Sequence, residues 1–136
     1  MNESRIIPGV VLSYQYLWAR QAGSGETEGR KSRPAAVGFR LARPDGDILL
    51  LFPITTSQPT ATRKFVEIPE TEKHRAGLDP DRRQWIILDE TNVDSIEGSY
   101  YLDQNAVLGY FSRAFFVPLM RRIAGYIAAV EKVSRR

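Results

Sequence analysis

The chain has 136 residues, one histidine, no cysteine and a formal net charge of +3 at pH 7. A chain of this length fits one domain, residues 1–136, which buries about two-thirds of the surface of the unfolded form. The lack of cysteine excludes thiol catalysis, zinc–thiolate sites and disulfides, and the single histidine excludes a two-histidine ribonuclease and a multi-histidine metal site. We predict neither a metal nor a cofactor.

The amino-terminal residues do not resemble a secretion signal, because no apolar stretch of adequate length follows the first basic residue, Arg5. The longest apolar run, Ala114 to Met120, is too short to cross a bilayer. We therefore expect a soluble cytoplasmic protein.

Alternating apolar residues and β-branched or aromatic runs dominate the first three quarters of the chain and predict a mainly β protein. The expected strands are Gly9 to Trp18, Pro34 to Leu41, Asp47 to Pro53, Lys64 to Ile68, Gln84 to Glu90 and Val93 to Ile96. Between the second and third strands, Arg43 to Asp47 places a proline before an Asp-Gly pair, which predicts a tight antiparallel hairpin.

Two connecting segments have a distinct composition. The segment Ala19 to Ser32 is rich in glycine and glutamate and predicts a mobile loop, because it cannot bury apolar area. The segment Pro69 to Arg75 has a proline at its start, acidic residues first and basic residues last, with Gly77 following. This order predicts one or two helical turns.

The carboxyl-terminal segment changes to a helical period. Its apolar stripe consists of Leu119, Ile123, Tyr126, Ile127 and Val130. The stripe predicts a helix packed on the sheet and closing one end of a small barrel. We expect Pro118 in the first turn of this helix, Ser112 capping a short preceding turn, and a frayed basic tail at 134–136.

The charge is distributed unevenly along the chain. Residues 1–64 carry nine basic and five acidic residues, residues 65–120 five and ten, and residues 121–136 five and one. A basic amino-terminal half suits a polyanion such as nucleic acid, because phosphate contacts release counterions. Ordinary charge scatter explains the distribution equally well.

Two motifs place polar groups at the ends of apolar strands: Lys31-Ser32-Arg33-Pro34 and Pro53-Ile54-Thr55-Thr56. Weaker segments accompany them in order: Pro8 to Val11, Val66 to Ile68, Leu88 to Glu90 and Gly109 to Ser112. With these segments the chain resembles the MazF/PemK family of growth-inhibitor toxins over nearly its whole length. The resemblance implies a small SH3-like antiparallel barrel of the CcdB/PemK type with a carboxyl-terminal helix, a homodimer, a cognate antitoxin and metal-independent cleavage of single-stranded RNA.

The resemblance also assigns functional residues. It makes Arg33, Thr55 and Asp89 catalytic. We expect five further residues to bind the RNA: Arg30, Lys31, Thr56, Ser57 and Glu90. The chain departs from the family pattern at three positions: Glu90 stands where many members have glutamine, Ile87 where some have a basic residue, and Val10 where an acidic residue is frequent.

Cleavage of RNA by its own 2′-hydroxyl needs a proton acceptor, a group that stabilises the dianionic phosphorane and a donor to the leaving 5′ oxygen. Arg33 suits the second task, because its planar guanidinium can hold two phosphate oxygens and stays charged. Thr55 can donate to the same phosphate. Asp89 and Glu90 are the available carboxylates, although strand alternation puts only one of them on the inner side.

Two other functions remain open, a non-enzymatic toxin that poisons gyrase through its last helix and a catalytically silent module that binds nucleic acid or an antitoxin. Arg33 also has a purely structural interpretation, an ion pair with Glu26 or Glu28. His74 is expected to be an exposed helix residue. For five aromatic residues both base stacking and packing are possible: Tyr14, Tyr16, Trp18, Tyr100 and Tyr101.

Overall fold

The computed structural model of the protein describes residues 5–27, 31–103 and 105–136, which form eight strands and three α-helices. The strands are β1 (Val10–Tyr14), β2 (Arg33–Leu41), β3 (Ile48–Thr55), β4 (Phe65–Glu67), β5 (Trp85–Ile87), β6 (Glu90–Ser95), β7 (Val107–Tyr110) and β8 (Glu131–Ser134). The helices are α1 (Ala19–Gly23), α2 (Glu70–Arg75) and α3 (Arg113–Ala124), and a 3₁₀ helix covers Ile127–Ala129. The predicted mainly β fold is confirmed.

The strands form one sheet in the order β4-β5-β3-β2-β1-β7; outside this order, β6 pairs with β3, and β8 pairs with β6. All neighbours are antiparallel except β6 and β8, which run parallel. The sheet is not closed into the predicted barrel, because the described parts of β4 and β7 do not pair with each other. The branch arises in β3, whose residues Ile48 to Leu51 pair with β6 while Ile54 and Thr55 pair with β5.

Alternating side chains of the central strands build an apolar core on each face of the sheet. On β2, Ala35 and Val37 belong to one cluster, which also holds Tyr14 and Tyr16 from the β1 segment. Ala36 belongs to the other cluster, which α3 covers. The side chains that α3 buries there are Phe116, Leu119, Met120 and Ile123. The predicted packing of a helix on the sheet is confirmed.

Local signals located the hairpin and the short helix correctly. Gly46 has a φ of 114°, and its backbone N–H donates to the carbonyl oxygen of Arg43 at 3.2 Å. The strands β2 and β3 that this turn joins are antiparallel, as predicted. Helix α2 follows Pro69, as predicted, and His74 on it is exposed.

The carboxyl-terminal segment differs from the prediction. Helix α3 ends at Ala124, and Pro118 lies inside it rather than in its first turn, while the Ser112 hydroxyl caps this same helix by accepting from the N–H of Phe115 at 3.2 Å. The tail at 134–136 is not frayed: Ser134 ends β8, and Arg135 is buried. Parallel pairing of β8 with β6 is a long-range contact that no local pattern indicates.

The segment predicted as a loop at 19–32 begins with α1. Gln21 is buried, and its Oε1 accepts from the backbone N–H of Trp18 at 3.1 Å. This side-chain bond stabilises a helical turn in a sequence whose composition favours a loop. Residues 28–30, including the predicted RNA-binding Arg30, lie outside the described residues. In the described part of the chain, no helix has both the length and the hydrophobicity needed to cross a membrane.

Candidate functional site: a cationic cleft at the end of β2 and β3

The pairing of β2 with β3 brings the two motif residues Arg33 and Thr55 together. Ala35 lies opposite Pro53 in this antiparallel pair. Arg33 lies two residues before Ala35, and Thr55 lies two residues after Pro53, so both are at the same end of the strand pair. The alternation of side chains places both on the same face as Ala35 and Pro53. Both residues line one open cavity, as the sequence analysis expected.

This cavity, hereafter the cationic cleft, has a volume of about 360 Å³. Its lining residues are Trp18, Arg20, Lys31, Arg33, Thr55, Thr56, Ser57, Gln58, Pro59, Thr60, Arg63 and Ile87. Four of them are cations, four carry hydroxyl groups, and no carboxylate occurs among the described residues of the lining. A ligand with phosphate groups is the natural complement of such a surface.

Trp18 holds two of the cations in place. The guanidinium carbon of Arg20 lies 5.0 Å from the centre of the Trp18 ring, and that of Arg33 lies 5.2 Å from it. Partial burial lowers the pKa of Arg33 from its usual value, and the nearby positive charge of Arg20 lowers it further. A bound anion would offset both effects.

The cleft contains donors without acceptors. Nε of Arg33 and Nε1 of Trp18 are buried and have no hydrogen-bond partner among the described residues. Arg33 also forms no ion pair within that part of the chain, so the structure does not contain the alternative pairing with Glu26. Glu28 lies outside the described residues. Unsatisfied buried donors are costly, and an anionic ligand in the cleft would satisfy them.

The hydroxyl of Thr55 is oriented by the turn that follows β3. Its Oγ1 accepts from the backbone N–H of Ser57 at 3.0 Å. This contact uses one lone pair and leaves the hydroxyl hydrogen available to donate to a ligand. Thr56 and Ser57 are exposed beside it. The predicted residues Lys31, Thr56 and Ser57 therefore line the same cleft as Arg33 and Thr55.

The predicted carboxylates Asp89 and Glu90 do not line the cationic cleft. They line a neighbouring cavity of about 320 Å³, hereafter the acidic cavity. Its other lining residues are Ala19, Arg20, Arg63 and Glu131. Arg20 and Arg63 border both cavities and therefore separate the carboxylates from the cationic cleft.

Arg63 binds both carboxylates. Its Nη2 donates to Oδ1 of Asp89 at 2.7 Å and to Oε1 of Glu90 at 2.9 Å, and its Nε donates to both Asp89 oxygens at 3.0 and 3.1 Å. Burial alone would raise the pKa of Asp89, but hydrogen bonds from Arg63 and from the backbone N–H of Lys64 lower it below its usual value. The pKa of Arg63 is raised by its hydrogen bonds to Asp89 and Glu90. Asp89 is thus a weak base.

Glu90 has a structural environment. Only 4% of its surface is exposed, and its Oε2 accepts from the Tyr16 hydroxyl at 3.1 Å and from the backbone N–H of Ala19 at 2.9 Å. Its charge balances that of Arg63. This pairing gives a physical reason for a glutamate at position 90.

Comparison of the chain with known protein families, with curated proteins and with solved structures found no match. The resemblance to the MazF/PemK toxins thus remains a prediction from the motifs. The cleft itself has to support the assignment of function.

The sequence did not indicate that Arg20 and Arg63 are cations of the cleft, or that Trp18 contacts the guanidinium groups of Arg20 and Arg33. Trp18 adjoins the segment that was expected to be a loop, Arg20 lies within it, and Arg63 is one of two adjacent basic residues before β4, so no local signal distinguished these roles. The hydroxyl of Tyr14 donates to Asp94 at 2.7 Å, and Tyr14 and Tyr16 are buried, so neither can stack on a base.

Among the described residues, no group of three or more His, Asp or Glu side chains could hold a metal ion.

Proposed function

We propose that the protein is a toxin endoribonuclease of the MazF/PemK type, which binds a phosphodiester of single-stranded RNA in the cationic cleft and cleaves it without a metal ion. The observation that carries the proposal is the position of Arg33 beside Thr55 in one open cleft with three further cations and no carboxylate among its described lining residues. The same proposal includes the assignment of the open, mainly β sheet to the SH3-like fold class of these toxins.

The substrate class follows from charge and from access. RNA phosphates are anionic at any physiological pH, and arginine binds two of their oxygens at once. The cleft lies at the ends of two strands, where an extended strand of RNA can reach it. Four hydroxyl-bearing side chains add neutral donors for phosphate and sugar oxygens.

In the proposed reaction, the 2′-hydroxyl loses its proton to a solvent water and its oxygen forms a bond to phosphorus, while the bond from phosphorus to the 5′-oxygen breaks and that oxygen takes up a proton from solvent. Arg33 donates to the non-bridging oxygens, where charge accumulates in the transition state, and Thr55 donates its hydroxyl hydrogen to the same phosphate. The products are a 2′,3′-cyclic phosphate and a 5′-hydroxyl. One preorganised donor of this kind contributes about 10²- to 10³-fold in rate.

The experiment is cleavage of a single-stranded RNA by the purified protein in EDTA. We expect the wild type to cut, and Arg33→Ala and Thr55→Ala to lose about 10²- to 10³-fold in kcat/KM. Arg43→Ala is the matched control, because Arg43 is an exposed arginine of the β2–β3 hairpin at the other end of these strands. Intact RNA after incubation with the folded wild type, or equal activity of Arg33→Ala, would contradict the proposal.

The position of the carboxylates favours one second candidate, a catalytically silent module that binds RNA. Both Asp89 and Glu90 are ion-paired to Arg63 and lie outside the cleft. Such a module would bind the RNA through Arg33 and leave it uncut. The same assay therefore distinguishes the two functions when binding is measured beside cleavage.

The proposed function brings two partners with it, a second copy of the chain and a cognate antitoxin. Light scattering of the purified protein tests for the homodimer. Co-expression with the product of a neighbouring open reading frame tests for the antitoxin, which should relieve growth arrest caused by the wild type.

A further inference from the structure

Tyr100 is the most solvent-exposed large hydrophobic side chain among the described residues. Its relative exposure is 83%, whereas that of the next such residue, Ile7, is 46%. Single exposed apolar side chains are common on protein surfaces, so the surroundings of the Tyr100 ring decide whether it belongs to a binding site.

The turn that carries Tyr100 is anchored on both sides. The Ser99 hydroxyl donates to Oδ2 of Asp94 at 2.7 Å and accepts from the backbone N–H groups of Tyr101 and Leu102 at 3.1 and 3.0 Å. The Tyr101 ring packs edge-on against Tyr100 with 5.1 Å between the ring centres. On Tyr101 in turn lies the guanidinium of Arg135, 3.6 Å from the ring centre. Tyr100 is thus exposed on a well-supported element.

Beside Tyr100 lies a polar cavity of about 430 Å³, hereafter the tyrosine cavity. Its lining residues are Ser13, Gln15, Ser32, Tyr100, Tyr101, Asp103 and Ala106. Ser32 stands between Lys31 and Arg33, which line the cationic cleft. Neighbouring residues of this one short segment thus line the two cavities, and consecutive Cα atoms in it are about 3.8 Å apart.

We propose that the tyrosine cavity binds an unpaired nucleobase of the RNA strand whose phosphodiester occupies the cationic cleft, with the base stacked on Tyr100. This inference rests on the proposed function. Every base offers a π-face to an aromatic ring, and single-stranded nucleic acids are held by such stacking together with backbone charge. The hydroxyl, amide and carboxylate groups of Ser32, Gln15 and Asp103 suit the edge of a base rather than a second phosphate.

The test is the binding of a fluorescent 12-nucleotide 2′-O-methyl RNA pool of random sequence, which lacks the attacking hydroxyl and stays uncut. We expect Tyr100→Ala to weaken binding by about fivefold or more, and Tyr100→Phe to bind as the wild type does. Tyr110→Ala is the matched control, since Tyr110 is a half-exposed tyrosine on β7 that lines neither cavity.

An abasic strand of the same length provides the second arm. The wild type and Tyr110→Ala should prefer the base-bearing pool over the abasic strand, and Tyr100→Ala should lose most of this preference. Equal affinity of Tyr100→Ala and the wild type, or an unchanged preference in Tyr100→Ala, would overturn the inference.

The outcomes separate the two proposals. Binding that depends on Tyr100, combined with no cleavage of unmodified RNA, contradicts the nuclease alone and supports the stacking site. Cleavage by a Tyr100→Ala variant that binds as tightly as the wild type contradicts the stacking site alone. A wild type that binds no RNA contradicts both.

Discussion

Two of the three arginines that line the cationic cleft, Arg33 and Arg63, have opposite local environments. Arg33 lacks an ion pair among the described residues and has a buried Nε without an acceptor, whereas Arg63 donates to two carboxylates. The first is available to a ligand phosphate, and the second is held in position by the protein. We therefore interpret Asp89 as a residue that positions Arg63, and not as the catalytic residue that the resemblance implied.

Substitution of Asp89 tests this interpretation. Asp89→Asn removes the charge but keeps the shape, so we expect kcat/KM for RNA to stay within about tenfold of the wild type. Removal of a general base costs about 10²- to 10⁴-fold. A loss of a thousandfold in a variant with the wild-type circular dichroism spectrum would restore Asp89 to the catalytic group.

The difference in the free energy of unfolding between the wild type and Asp89→Asn should depend on pH. Because the folded-state pKa of Asp89 is lowered, its contribution is fully present above the unfolded value, about 4, and is lost as the pH falls through the folded value. We expect Asp89→Asn to lower the free energy of unfolding by about 1–2 kcal/mol at pH 7. This difference from the wild type should shrink in acid, as measured by urea denaturation at pH 7 and pH 3. A constant difference across that range would contradict the assignment.

At the scale of elements, Arg135, the residue after β8, forms hydrogen bonds to the chain on either side of helix α1. Nη1 of Arg135 donates to the carbonyl oxygen of Thr27 at 2.7 Å, and its Nη2 donates to that of Gln15 at 3.2 Å. These contacts join the residue after β8 to the chain on both sides of α1. The carboxyl terminus thus supports the wall of the cationic cleft.

Truncation of Arg135 measures this support. We expect Arg135→Ala to lower the free energy of unfolding by about 1–3 kcal/mol, since two partly buried hydrogen bonds to backbone carbonyl groups lose their charged donor. Arg136→Ala is the control, because Arg136 is exposed. Equal denaturation midpoints of the two variants would show that the contacts of Arg135 do not stabilise the fold.

The contact between β2 and α3 depends on a glycine. A Cβ on Gly38 would lie 2.4 Å from the ring of Phe52 and 2.9 Å from the sulfur of Met120. The glycine sits at an irregularity in the pairing of β2 with β3 and lets the ring and the helix approach the sheet.

A methyl group at this position should be costly. We expect Gly38→Ala to lower the free energy of unfolding by about 1–3 kcal/mol through overpacking. Gly23→Ala should leave stability unchanged or raise it, because a Cβ at Gly23, in α1, has no neighbour within 4 Å. Thermal unfolding of both variants checks this, and equal melting temperatures would contradict it.

For the whole molecule, the sequence predicted what local chemistry determines. The hairpin glycine and the acidic and basic ends of α2 each depend on neighbours within a few residues. Strand β8 and the pairing of Arg63 with Asp89 depend on contacts between distant segments, and no sequence period records them. The prediction of a closed barrel was wrong for the same reason. The pairing of β3 with both β5 and β6 is a contact between distant segments, and the sequence pattern does not indicate it.

The candidate site divides in the same way. Lys31, Arg33 and the residues 55–57 follow directly from two strand ends, and the antiparallel pairing brings them together. Asp89 was predicted from the resemblance and Glu90 as the carboxylate beside it, and neither prediction could include the ion pairs with Arg63 that both residues form outside the cleft.

The central claim concerns the bond that breaks in the cationic cleft. Mass spectrometry of the fragments formed from single-stranded RNA in EDTA tests it most directly. The account predicts 2′,3′-cyclic phosphate and 5′-hydroxyl ends, absent from a digest with Arg33→Ala. Fragments with 3′-hydroxyl and 5′-phosphate ends, or RNA left intact by the wild type, would contradict it.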